Sequence, residues 1–276
     1  MEKLSEHGCF GGRVAYYKHA SETLGCDMRF TVFTPPGAEG KKLPVVTYLA
    51  GLTCTEENLT VKGGAYATAA ECGLVLIAPD TSPRGDHVPD EDAWDFAKGA
   101  GFYVDATQSP WDKNYRMYSY ITQELNKLVI ENFPVDVARQ GIFGHSMGGH
   151  GALTIYLKNR DIYKSVSAFA PIVAPTQCPW GHKALGNYLG DAPELWAAHD
   201  AVELMKVSDG AAPVILIDQG LEDPFLDEQL KPHLFEEACA SVGQKLTLRR
   251  HDGYDHGYFF IETFMEDHIR HHAGLL

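Results

Sequence analysis

The chain is short of positive charge. Its Lys and Arg number 23 against 37 Asp and Glu, a formal net charge of -14 at pH 7. No basic stripe is available to displace counterions from phosphates, which argues against a nucleic-acid partner and disfavours an anionic membrane surface. Long apolar runs are lacking too. No stretch approaches the roughly 20 residues that a membrane-spanning helix needs, and the opening "MEKLSEHGCFGG" lacks the apolar centre of a secretory signal. The six cysteines (Cys9, Cys26, Cys54, Cys72, Cys178 and Cys239) stand far apart, with no C-x-x-C pair and no metal-ligand spacing. The expectation is a cytoplasmic protein with reduced thiols and no metal.

What is present is an ordinary globular composition, 45% hydrophobic and 22% charged, so a disordered or fibrous chain is excluded. At 276 residues the chain exceeds the usual domain length, yet α/β folds of this size commonly form one domain, and 1–276 is read as one. Apolar strand-like runs alternate with amphipathic ones. Strands are expected in "MRFTVFTPPG" from Met28, in "LPVVTYLAGLTC" from Leu43, and in "GLVLIAPDTSP" from Gly73. More are expected in "RQGIFGHS", in "SVSAFAPIV", in the apolar run from Ala211 to Gly220, and in "KLTLRRHDG" from Lys245. Tyr120, Ile121, Leu125, Leu128 and Val129 make one face of a helix over Tyr118 to Phe133. Further helices should open at "GGHGALTIYLKN", near Phe225 to Val242, and from Tyr258 to His272. Such alternation implies a mostly parallel sheet with helices on both faces. The segment from Pro83 to Asn114 is long, polar and rich in Gly and Trp, either a functional loop or a surface excursion.

Between the strand "RQGIFGHS" and its helix the chain reads Gly-His-Ser-Met-Gly, with Gly144 and Gly148 flanking Ser146 at two residues on either side. A nucleophilic serine in that position needs a strained turn that lifts its Oγ out of the sheet, and small neighbours make room for it. The helix N-terminus behind it points N–H groups at a developing oxyanion. Ser146 is the candidate nucleophile and the Met147 N–H one oxyanion donor. The partners should follow as acid and then histidine, at the ends of later strands. "IDQGLEDPFLDEQ" offers Asp218 at a strand end, Asp223 in a loop, and Glu222 and Asp227 nearby; Asp223 is best placed to reach across to an imidazole. "HDGYDHGYFF" offers His251 at the strand end and His256 in a Gly-flanked loop, where a general base belongs. Seven of the 13 histidines, with His268, His271 and His272 among them, read as surface residues. A second oxyanion donor is expected from the loop "LAGLTCTEEN", where Gly51 permits close approach, and falls on the Leu52 N–H.

With these residues assembled, the chain resembles the S-formylglutathione hydrolase (esterase D) family along almost its whole length. The strings "AGLTCTEEN", "APDTSPRG", "WDFAKGAGFYVDAT", "FGHSMGGHGAL", "CPWG", "DQGLEDPFL" and "GYDHGYFFI" carry the resemblance. It implies an α/β-hydrolase fold, no cofactor, hydrolysis of S-formylglutathione to glutathione and formate, a cytosolic and often dimeric enzyme, and a triad at Ser146, Asp223 and His256. It also implies thiol-reagent sensitivity at Cys54 without a nucleophilic role there. A narrow acyl pocket walled by Thr53, Tyr103 and Trp180, and a basic rim drawn from Lys62, Arg84, Lys98 and Lys183, are expected around the substrate. The alternative is a general short-chain carboxylesterase or acyltransferase of the same fold.

Overall fold

The computed structural model describes residues 1–210 and 213–276. Among these residues nine strands form one sheet: β1 (Glu2–Cys9), β2 (Gly12–Ser21), β3 (Cys26–Thr34), β4 (Leu43–Leu49), β5 (Val75–Pro79), β6 (Val135–His145), β7 (Tyr163–Phe169), β8 (Ile215–Gly220) and β9 (Leu246–His251). Their spatial order is β1-β2-β3-β5-β4-β6-β7-β8-β9. The first three pair antiparallel with one another and β3 with β5, and every pairing from β5 to β9 is parallel. Central strands are buried on both faces, all five residues of β5 and all six of β8, so they read as continuous apolar runs.

Among the described residues, ten helices cover both sides of this α/β-hydrolase-type sheet: α1 (Glu57–Lys62), α2 (Tyr66–Cys72), α3 (Met117–Ser119), α4 (Asn126–Asn132), α5 (Met147–Lys158), α6 (Pro179–Leu189), α7 (Pro193–Trp196), α8 (Ala201–Lys206), α9 (Pro232–Val242) and α10 (Tyr258–Leu275). A π-turn over Tyr120–Leu125 joins α3 to α4, and the expected face of Tyr120, Ile121, Leu125 and Val129 is buried there, with Leu128 at its margin.

Four details depart from the sequence reading. The β1–β2 hairpin was not expected, because β1 is exposed on both faces and shows no alternation; its turn is Phe10-Gly11, both at positive φ, as a type I′ hairpin requires. β7 stops at Phe169, since Ala170 takes a φ of 42° and leaves the sheet. The expected helix from Phe225 is a π-turn (Leu226–Leu230) and then α9, interrupted by Lys231 in the left-handed region ahead of Pro232. The strand expected from Ala211 begins at Ile215; Ala211 and Ala212 lie outside the described residues.

The segment from Pro83 to Asn114 is no surface excursion. Phe96, Ala97, Ala100, Phe102, Tyr103 and Val104 in it are essentially inaccessible to solvent. His268 and His272 are likewise core residues rather than surface ones, both fully buried, and His271 is half-buried. His268 bonds Ser167 Oγ (2.8 Å) and Asp218 Oδ2 (3.2 Å), and His272 lies between Ser165 Oγ (2.6 Å) and Ser167 Oγ (3.0 Å). A helical pattern cannot tell a polar residue facing solvent from one satisfied by strand hydroxyls.

Candidate active site

Backbone sterics set the turn at Ser146. β6 ends at His145, α5 begins at Met147, and Ser146 between them has φ 57° and ψ -118°. Such a conformation costs on the order of 1–3 kcal/mol and persists only where its surroundings fix it. Here the surroundings are glycines. A Cβ on Gly144 would overlap the Gly148 carbonyl, and one on Gly148 would overlap the Leu49 carbonyl, so both ends of G-x-S-x-G are closed by chain contact. The Ser146 N–H donates to Phe169 O (2.9 Å), and its carbonyl accepts from His150 N (2.9 Å). Met147 is the first helical residue, so its N–H has no carbonyl within the helix to bond.

The loop after β4 lies against this turn. A Cβ on Gly51 would stand 3.1 Å from His145 Nδ1 and 3.2 Å from Ser146 Cβ, so only glycine fits without displacement. Beyond Leu52, Thr53 takes a φ of 66°. The loop is held from several sides. Tyr103 donates its hydroxyl to Ala50 O (2.9 Å), and the Thr53 N–H donates to Gly99 O (2.9 Å). Cys54 O accepts from Thr81 Oγ1 (2.6 Å) and Arg84 Nη2 (3.2 Å). Arg84 is itself clamped by buried Asp80, donating Nε to Oδ2 (2.7 Å) and Nη2 to Oδ1 (2.9 Å). From the sequence Arg84 is read only as a substrate-rim cation and Asp80 is not singled out, although "APDTSPRG" contains both.

Asp223, in the loop after β8, accepts from His256 Nδ1 at 2.5 Å. Gln219 Nε2 donates to the same carboxylate oxygen (3.1 Å), and the Phe225 N–H donates to the other (2.9 Å). The Asp223 side chain is wholly buried, while 17% of the His256 side chain is open to solvent. The other acids are placed elsewhere. Asp218 is held by Arg249 in a bidentate pair (2.6 and 2.5 Å), and bonds His251 and His268 (3.2 Å each). Burial raises its pKa, but Arg249, His268 and His251 outweigh that and hold the carboxyl well below the usual range. His251, the competing base, is thus paired with the competing acid, and it stacks on Phe264 at 3.8 Å. Glu222 and Asp227 are exposed. Among the described residues, neither Ser146 Oγ nor His256 Nε2 carries a hydrogen bond.

Two rings flank His256: Phe225 edge-on at 5.0 Å and His145 at 4.4 Å. Both nitrogens of His145 are buried without a hydrogen-bond partner. Burial first, and then the neighbouring His256, push its pKa well below 6.5, so it stays neutral beside the catalytic candidate. Trp180, at the start of α6, packs on Phe225 (4.7 Å) and meets Trp94 edge-on (5.6 Å), one ring removed from His256. Tyr103 is fully buried with its hydroxyl committed to Ala50, and so is a support for the loop rather than a pocket wall.

The Cys54 thiol is pushed up by burial, against weaker opposing effects of hydrogen bonds from Tyr258 and Gly51. A protonated thiol with no second cysteine at hand does not suit redox chemistry. Of the four cations expected at a substrate rim, three are engaged. Arg84 pairs with Asp80, Lys98 with Asp90 (3.5 Å), and Lys183 with Glu91 and Asp95 (2.8 and 2.6 Å). Lys62 has no ion pair among the described residues. Among those residues too, no three His, Cys, Asp or Glu side chains are disposed to hold a metal ion, and no helix is long and apolar enough to cross a membrane.

The "Putative esterase" family model matches residues 21–271. The chain is 55% identical to the S-formylglutathione hydrolase of Arabidopsis thaliana, over 99% of this chain and 98% of that one. It is 53% identical to that of Mus musculus, over 100% and 99%. The S-formylglutathione hydrolase structure from Agrobacterium tumefaciens superposes with a TM-score of 0.97 at 52% identity, covering both chains completely. A ferulic acid esterase at 18% identity, with a TM-score of 0.75, shares the fold.

Proposed function

The chain belongs to the esterase family that includes the S-formylglutathione hydrolases, and on that premise we propose that it hydrolyses S-formylglutathione to glutathione and formate through a formyl-serine intermediate. The observation that carries the reading is the 2.5 Å bond between His256 and a wholly buried Asp223, set beside the strained Ser146 turn. In this reading His256 Nε2 takes the Ser146 proton as Oγ attacks the formyl carbon. Asp223 fixes the tautomer with Nδ1 protonated and stabilises the imidazolium; it does not take the proton itself. Gln219 and the Phe225 N–H hold the carboxylate in place. The Leu52 and Met147 N–H groups receive the negative oxygen, each worth about 2.7–4 kcal/mol by comparison with known oxyanion holes. His256 then protonates the departing sulfur, and a water activated by the same imidazole releases formate.

The unformed bond between Ser146 and His256 suits a free enzyme, in which catalytic hydrogen bonds tighten on substrate binding. Thiolate is a good leaving group, so deacylation carries the larger share of the barrier. Cys54, a protonated thiol within the loop that carries the Leu52 N–H, acts as a steric liability to alkylation rather than as a nucleophile. We place the enzyme in the cytoplasm as one domain and a homodimer, acting in formaldehyde detoxification; its six unpaired cysteines suit a reducing compartment. The test is kcat/KM for S-formylglutathione against 4-nitrophenyl acetate and butyrate. Strong preference for the formyl thioester is expected, and preference for the esters would make this a general carboxylesterase or acyltransferase.

A further inference from the structure

Glutathione leaves as an anion, and the chain carries a net charge of -14, so its binding needs a local arrangement rather than a general field. A cleft of about 460 Å³ lies between the end of α1 and the start of α10, lined by Val61, Lys62, Tyr258, Phe259 and Glu262. Tyr258 is common to the cleft and the reactive centre. Its hydroxyl meets Tyr48 Oη (3.3 Å) and the Cys54 thiol, and its ring lies 6.1 Å from that of His145, which touches His256. The departing sulfur must reach the imidazole to take its proton, so whatever is attached to it lies on the His256 side of Ser146. That is the side on which α10 begins.

The cleft has features that the fold does not explain. Phe259 and Val61 are 86% and 63% exposed, apolar surface left in water beside a reactive centre. Lys62 and Glu262 are both exposed, and neither side chain has an ion pair or hydrogen bond among the described residues. Glu262 rests against Gly64, where a Cβ would come 2.9 Å from Glu262 Cγ, and Gly64 has a φ of 66°. An unpaired cation and an unpaired carboxylate beside an apolar floor match a peptide with a zwitterionic amino-acid end.

We propose that this cleft binds the peptide of the leaving thiol. Lys62 takes a carboxylate, Glu262 takes the γ-glutamyl ammonium, and Val61 and Phe259 support the stem between them. The proposal rests on the S-formylglutathione reading and assigns that substrate's larger half to a place. Among the basic residues considered for this role, it selects the one whose charge the protein has left unmatched.

The test compares kcat/KM for S-formylglutathione with that for S-formyl-N-acetylcysteamine, a neutral thioester with the same acyl group. Lys62→Glu and Glu262→Gln, both surface changes, should each lower the ratio of the two by about two- to fivefold, the scale of one exposed ion pair. The Glu262→Gln loss should vanish when the γ-glutamyl amine of the substrate is acetylated. Ratios equal to wild type in both variants would overturn the cleft assignment, and so would variants that alter only the oligomeric state in sedimentation. A wild-type ratio near one would sink the substrate reading itself, which separates the two failures.

Discussion

At the scale of single residues, the account distinguishes two aspartates five positions apart. Asp223 bonds His256 Nδ1 and is the residue we propose to orient the base, whereas Asp218 pairs with Arg249 and ties β8 to β9 and α10. Asp223→Asn should keep the fold and lower kcat on the order of 10⁴-fold, because the amide favours the wrong imidazole tautomer. Asp218→Asn should do the reverse, costing about 3 kcal/mol of stability by removing the wholly buried carboxylate that Arg249, His251 and His268 share, with a much smaller loss of kcat in what folds. Circular dichroism in urea and steady-state kinetics on both variants decide between these assignments. Arg84 touches no reacting atom and acts through the Cys54 carbonyl. Arg84→Met should therefore lower kcat by up to about 10²-fold as the Leu52 N–H drifts, with little change in KM. An effect confined to KM would instead make Arg84 a substrate contact.

At the scale of elements, the turn between β6 and α5 was legible because its chemistry is local. Gly144, Ser146 and Gly148 are neighbours, and the contact that requires glycine at 144 comes from the Gly148 carbonyl within the turn, although Gly148 itself is closed by the Leu49 carbonyl of β4. The same holds for His256, which lies in the short loop between β9 and α10. What could not be read depends on distant partners. The loop at Leu52 takes its shape from Thr81, Arg84, Gly99 and Tyr103, which lie up to about fifty positions further on. The histidines of α10 looked like surface groups because their partners lie on β7, the Ser165 and Ser167 hydroxyls and the Val166 carbonyl. The β1–β2 hairpin hid because an exposed edge strand has no buried face to impose alternation. Gly148→Ala tests the element directly: its methyl would overlap the Leu49 carbonyl and drive α5 from β4. A loss of at least about 2 kcal/mol in urea unfolding, together with most of the activity, is expected. A variant as stable as wild type would show that the turn has slack.

At the scale of the molecule, buried and half-buried neutral histidines make stability depend on acid. Burial lowers His199 and His271 to about 4 and His150 to about 3, and it lowers His145, His268 and His272 as well. Unfolded imidazoles protonate near pH 6.5, so between about 6.5 and 4 the unfolded chain binds more protons than the folded one. This contribution is complete above about pH 6.5 and is lost as pH falls toward 4. Urea midpoints should fall steadily through that window, ahead of the range in which carboxylates titrate. A flat profile down to about pH 4.5 would mean that these histidines are already charged in the fold.

The most direct measurement follows the ultraviolet absorbance of the S-formylglutathione thioester bond with wild-type protein and with Ser146→Ala. Rapid loss of absorbance by the wild type and none above background for the variant is the result this account predicts. Turnover that survives the loss of the Ser146 hydroxyl would contradict it.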